Sequence, residues 1–232
     1  MGGEGGLINQ GSLEAAMEYI ERRFGIREVI LSGGDPLLLS DDELETILTR
    51  LRKIPYIEIL RLHTRTPVTL PDRITHPLCR MLKRYHPLYV NTQFNHPVEI
   101  THLSANACSR LADAGIPLGN QTVLLKGVND DPDIMKQLMQ KLLTIRVRPY
   151  YIHQMDLVKG TGNFRTSIQK GLDIVAGLRG HTSGMATPSY VIDLPGGKGK
   201  VAVLPDDVRR EGNTFYLRNY LGEVVKYPEG DE

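Results

Sequence analysis

The chain of 232 residues is 41% hydrophobic, enough to bury a core in one large domain, alone or with an appendage. With 28 Lys and Arg against 27 Asp and Glu, its net charge of +1 gives no electrostatic case for nucleic acid or an acidic membrane surface. Cys79 and Cys108 stand too far apart in sequence for a Cys-x-x-Cys pair, no apolar run reaches membrane-spanning length and the N-terminus has no signal-peptide core, so a cytoplasmic protein without a disulfide framework or its own metal site is expected.

Residues 1–11 read as a flexible leader. Ser12 is placed to cap a helix with Leu13, Met17, Ile20 and Phe24 on one face, and a strand over 27–32 follows and runs into Gly33-Gly34-Asp35-Pro36. Ser40 and Glu43 form a capping box for a helix whose apolar stripe is Leu44, Ile47, Leu48 and Leu51. The unit then repeats. Strands are predicted over 57–63, 88–94, 118–126 and 148–154. The helices between them start at Thr75 (Leu78, Met81, Leu82 and Tyr85 inward), at Thr101 (Leu103, Ala107 and Leu111 inward) and at Asp131-Pro132 (Ile134, Leu138 and Leu142 inward). Thr166 is read as the cap of a helix reaching about residue 179, and a further strand leads to Asp193.

Strand alternating with helix at this spacing defines parallel β/α units, and an α/β fold with about six strands fits either an open doubly wound sheet or a partial barrel. In both, ligands bind at the carboxyl ends of the strands. That rule gathers Gly33, Gly34, Asp35, His63, Arg65, Gln93, His96, Gln121, Asp156 and Asp193 on one rim. Past residue 203 the pattern changes to a β-hairpin over 214–218 and 223–227. The expected organisation is a leader (1–11), a barrel-like region (12–203) and a C-terminal β-hairpin appendage (204–232).

The glycine-rich stretch Asp193-Leu194-Pro195-Gly196-Gly197-Lys198-Gly199-Lys200 joins two short apolar runs. It reads either as a hairpin tip with solvated lysines or as a loop presenting an amine to a pocket. Asp156 and Asp193 at neighbouring strand ends would repel each other unless a cation lay between them, and each has the alternative of capping a nearby loop. Arg61, Arg65 and Arg73 offer guanidinium forks for a phosphate or, equally, surface ion pairs. His63 and His96 lack metal partners at helical spacing. His181 is read as fixing a loop.

Read together, Leu-Ser-Gly-Gly-Asp-Pro-Leu (31–37), Arg-Thr-Pro-Val (65–68), Phe-Asn-His-Pro (94–97), the run 119–130, Arg-Val-Arg-Pro-Tyr-Tyr-Ile (146–152), the run 177–184 and Asp-x-Pro-Gly-Gly-x-Gly-Lys (193–200) resemble the lysine 2,3-aminomutase family of radical S-adenosylmethionine enzymes. The resemblance implies a partial (β/α) barrel and an isomerase that uses pyridoxal phosphate, S-adenosylmethionine and a [4Fe–4S] cluster to interconvert L-lysine and β-lysine. By the same resemblance Lys200 would bind pyridoxal phosphate covalently, with Lys198 the weaker candidate, and Asp156 and Asp193 would hold the side-chain ammonium of a basic amino acid, lysine favoured. Gly33, Gly34, Asp35 and Gln121 would contact S-adenosylmethionine; Arg65, as one of the three candidate phosphate-binding arginines, is the further cofactor-binding candidate.

Two departures from the family pattern shape the expectation. The Cys-x3-Cys-x2-Cys cluster motif does not occur, which reads as a chain lacking the family's N-terminal part and first barrel strand, so the radical step is not expected of this chain alone. Gln93 stands where histidine is expected, and His153 where tyrosine is usual. A radical-independent pyridoxal phosphate enzyme such as a lysine racemase, or a non-catalytic ligand-binding remnant, are the alternatives. An exposed strand edge leads us to expect a homo-oligomer.

Overall fold

The computed structural model describes residues 10–205, 207–212 and 214–228. The leader expected over 1–11 lies, through residue 9, outside the described residues. Strands β1 (Glu28–Leu31), β2 (Ile59–His63), β3 (Leu88–Thr92), β4 (Leu118–Leu124), β5 (Val147–Gln154), β6 (Ser189–Asp193) and β7 (Lys200–Ala202) follow one another in sheet order. The sequence count of six omits the short β7. The helices are α1 (Gln10–Glu21), α2 (Asp41–Arg52), α3 (Thr66–Thr69), α4 (His76–Lys83), α5 (His102–Asp113), α6 (Pro132–Thr144) and α7 (Ile168–Leu178). β1 to β3 pair in parallel, β6 joins β5 in parallel, and β7 turns back antiparallel to β6. This is the partial (β/α) barrel expected. A second, three-stranded antiparallel sheet of β8 (Val208–Glu211), β9 (Thr214–Arg218) and β10 (Val224–Pro228) forms the C-terminal appendage, one strand more than the predicted hairpin.

The described residues divide into two compact units, the first built from residues 10–94, 98–121 and 144–148, the second from 95–97, 122–143 and 149–228. In the first, the capping box of α2 is present: Ser40 Oγ accepts from Glu43 N at 3.3 Å and Glu43 Oε2 accepts from Ser40 N at 2.9 Å. Leu44, Ile47, Leu48 and Leu51 are buried, each worth roughly 1.5–3 kcal/mol by area removed from water. The Arg52 guanidinium closes the same helix on four carbonyls, those of Ile57, Glu58, Tyr85 and Pro87. Thr75 and Thr101 cap α4 and α5 as predicted.

Three readings are corrected here. Ser12 lies inside α1, which starts at Gln10, and of its expected apolar face only Met17 is buried; Phe24, past the helix end, is 79% exposed and rests edge-on against Tyr56. Leu103 is exposed because the buried stripe of α5 runs through Ser104, Ala107, Cys108 and Leu111. In the second unit Ser167, not Thr166, caps α7. Thr166 is buried instead, where Gln154 donates to its carbonyl at 2.9 Å and accepts from its hydroxyl at 3.4 Å.

Candidate functional site

The first unit places Gly33-Gly34-Asp35 just beyond β1. Both glycines have positive φ, 87° and 58°, are exposed, and have nothing within 4 Å of where a Cβ would stand. The turn therefore presents open backbone that only glycine adopts without strain. Asp35 does not face outward with it. Its Oδ1 accepts from Leu37 N (3.1 Å) and Thr64 Oγ1 (2.6 Å), and its Oδ2 from Arg65 N (2.7 Å) and Thr66 N (3.1 Å). Four donors occupy the carboxylate, which ties the turn after β1 to the start of α3.

The three arginines do not converge. Arg61 pairs with Glu28, Arg65 with Glu99 and Arg73 with Asp41, each at 2.7 Å. Each guanidinium thus has a carboxylate partner of its own. Gln93, just past the end of β3, and Gln121, in β4, are half-buried. His63 faces Asn91, with Nε2 and Nδ2 3.4 Å apart.

The second unit brings together the strand-end residues of β5, β6 and β7. The register sets Asp193 directly opposite Lys200, so the glycine-rich stretch is a hairpin tip closed by this pair. Gly199 O accepts from Leu194 N at 2.8 Å and pins the tip. Lys200 Nζ lies 2.7 Å from both Asp193 oxygens and 3.3 Å from His153 Nδ1; that nitrogen is in turn 3.2 Å from Asp193 Oδ2. The Tyr151 ring stands edge-on to His153, with centroids 5.5 Å apart, and Lys200 Nζ sits 5.4 Å from its centre. Tyr151 and His153 share one face of β5 because strand side chains alternate. Lys198 is exposed in the tip.

Burial of the imidazole lowers the His153 pKa, and the Lys200 charge lowers it further against the opposing pull of Asp193 and Asp156. His153 is therefore neutral at pH 7. Burial of Asp193 would raise its pKa, but the hydrogen bond and charge of Lys200, helped by His153, outweigh this and hold it below the ordinary carboxylate value. Asp156 and Asp193 line one cavity of about 660 Å³ together with Gln154, Arg165, Ser167 and Leu194. His181 meets Tyr220 edge-on at 5.5 Å, and a Cβ on the preceding Gly180 would strike the Tyr220 ring at 2.2 Å, so this loop packs closely against Tyr220.

Cys79 and Cys108 are buried in α4 and α5, and burial pushes their thiols up to about 11 and about 12. A cluster takes thiolates, so these residues do not fit one. Among the described residues no group of three or more His, Cys, Asp and Glu is placed to hold a metal ion, and no helix is long and apolar enough to cross a membrane.

The Radical SAM superfamily matches residues 3–139, more than half of the sequence, and the chain belongs to that superfamily. The lysine-2,3-aminomutase family matches residues 175–232, which include the hairpin tip. L-lysine 2,3-aminomutase of Fusobacterium nucleatum is 53% identical over 218 residues, covering 94% of this chain and 51% of the relative; that of Clostridium subterminale is 54% identical, covering 94% and 52%. Glutamate 2,3-aminomutase of Clostridioides difficile is 51% identical, covering 92% and 51%. The chain thus spans about half the length of these relatives. Among solved structures, native anSMEcpe with bound AdoMet superposes with a TM-score of 0.57 at 12% identity, covering 76% of this chain and 52% of that one. A radical SAM methyltransferase from Sphaerobacter thermophilus gives 0.54 at 15%, covering 79% and 54%. Both are likenesses of fold.

The match from residue 3 corrects the expectation that the family's N-terminal part is missing: the radical SAM region is represented. That expectation used cysteines as the marker of the region, whereas the family match extends over residues 3–139 without the Cys-x3-Cys-x2-Cys motif.

Proposed function

We propose that this chain carries the amino-acid and pyridoxal phosphate site of a lysine 2,3-aminomutase-type isomerase acting on a basic amino acid. The carrying observation is the pairing of Lys200 with Asp193 across the hairpin, beside a cavity lined by Asp156 and Asp193. The residues fit the cofactor: a lysine amine lies next to a neutral imidazole in a partly enclosed site. Pyridoxal phosphate joined to an amine supplies an electron sink that labilises bonds at the amino acid's nitrogen-bearing carbon. Lys200 is its attachment point. Asp193 and Asp156 hold the substrate's side-chain ammonium, and the paired carboxylates choose lysine over glutamate, a choice that about 50% identity to both kinds of relative does not make.

In the first unit, Gly33, Gly34 and Gln121 are assigned to S-adenosylmethionine, with Asp35 holding the turn rather than touching the ligand. Superfamily membership and the AdoMet-bound neighbour of the same fold support this. Arg65, paired with Glu99, is the weakest member of the set. With two buried cysteines, the chain does not by itself generate the radical.

Borohydride reduction in the presence of pyridoxal phosphate, followed by peptide mapping, tests the assignment. The label is expected on Lys200; a label on Lys198, or none, overturns it. Anaerobic reconstitution with iron and sulfide is expected to give no β-lysine from L-lysine. Turnover there would show that the chain does run the radical step, whereas loss of optical rotation with pyridoxal phosphate alone would favour the racemase reading.

A further inference from the structure

His153 is a strand residue with two different nitrogens. Nδ1 faces Asp193 Oδ2 at 3.2 Å and Lys200 Nζ at 3.3 Å; Nε2 is buried with no hydrogen-bond partner among the described residues. The side chain is 16% exposed, against 43% for Asp193 and 32% for Lys200. Neutral imidazole carries one proton. On Nε2 it would be a buried donor with nothing to receive it, which costs more than leaving a lone pair bare. The hydrogen-bond network therefore assigns it to Nδ1, pointing at Asp193. The Tyr151 ring, edge-on at an interplanar angle of 89°, holds that orientation.

We infer that His153 is a positioning residue that fixes the Asp193 carboxylate through Nδ1–H and takes up part of its charge, so that Asp193 binds the Lys200 ammonium less tightly than it would alone. Asp193 has one cation seat, equidistant from both oxygens, and Lys200 fills it in the free protein. For Lys200 to react, its ammonium must give up a proton and leave that seat. A carboxylate already served by His153 lets it go more readily and stays aimed once it has gone. The charged and titratable groups facing His153 are Asp193 from β6, Lys200 from β7 and Asp156 after β5, with the Tyr151 ring beside it. The inference rests on the proposed role of Lys200 for its purpose, not for its geometry.

The test is made on the full chain without cofactor. Trace acetylation across a pH series, read by mass spectrometry of the Lys200 peptide, gives the midpoint at which the Lys200 amine becomes reactive. In His153→Phe the midpoint should rise by at least about half a unit, a threefold lower amine fraction at a given pH below it. His153→Asn, which keeps an N–H donor but fills less space, should restore it. A purely structural role predicts the opposite order, since phenylalanine replaces the ring and asparagine does not. An unchanged midpoint in His153→Phe, or an Asn variant no closer to wild type than Phe, overturns the inference. Should borohydride mapping find no cofactor on Lys200, the proposed function fails while this titration still decides the role of His153.

Discussion

Two aspartates at strand ends, Asp35 after β1 and Asp193 closing β6, look alike in sequence and are used in opposite ways. Asp35 takes four hydrogen bonds from neutral groups, three of them backbone amides. Nothing in that set can leave without undoing a turn, so the carboxylate is committed to structure. Asp193 is held by one ammonium and one imidazole, both on side chains, and its oxygens remain accessible. A charge satisfied by the backbone is fixed. One satisfied by a partly exposed side chain is exchangeable, which is what a site that must admit a ligand cation requires.

The sharpest way to break the comparison is to remove each carboxylate. Asp35→Ala leaves several donors of the α3 start without an acceptor and is expected to destabilise the protein by about 2–4 kcal/mol in urea unfolding. Asp193→Ala should cost under about 1 kcal/mol, in the range of exposed ion pairs, while weakening binding of a basic amino acid strongly in calorimetry. Equal stability losses would show that the two sites are not used differently.

A pH series sharpens the contrast. The His153 pKa is lowered in the folded protein, so below the ordinary value of 6.5 the unfolded chain takes up the proton first and stability falls as pH drops through that region. His153→Phe should flatten this slope in unfolding experiments between pH 7 and 5. The lowered pKa of Asp193 acts further down: its stabilisation is present above the ordinary value of 3.8 and is lost as pH falls through the lower folded value. The smallest effect concerns the thiols. With pKa values pushed up to about 11 and about 12, Cys79 and Cys108 should resist alkylation at pH 8 in the native state and react on unfolding, as mass spectrometry of the alkylated protein would record.

Local rules carried most of the fold. The capping residues Ser40, Thr75 and Thr101 and the apolar stripe of α2 were readable because a helix start is decided within four residues. Thr166 and Ser167 are adjacent and chemically equivalent as caps, and only the distant Gln154 decides between them. β8, Val-Arg-Arg-Glu with every residue exposed, carries no alternation for a periodicity argument to find. In the site, Asp193 and Lys200 were visible through the motif that joins them. The saturation of Asp35 was not, since three of its donors, Thr64 to Thr66, come from about thirty residues away. His153 drew notice only as a departure from a pattern; its two environments, one per ring nitrogen, exist only once β5, β6 and β7 are side by side.

Lys200 opens β7, a three-residue strand with every residue exposed, the last in its sheet order and paired, among the described residues, with β6. Strands of this kind breathe: they detach and re-form at a small fraction of the free energy of global unfolding, as hydrogen exchange of such edges generally records. Lys200 thus rides on a short edge strand, while Asp193 and His153 stay on β6 and β5. How often Lys200 becomes available is then set by the opening of one short hairpin arm and not by the stability of the protein as a whole.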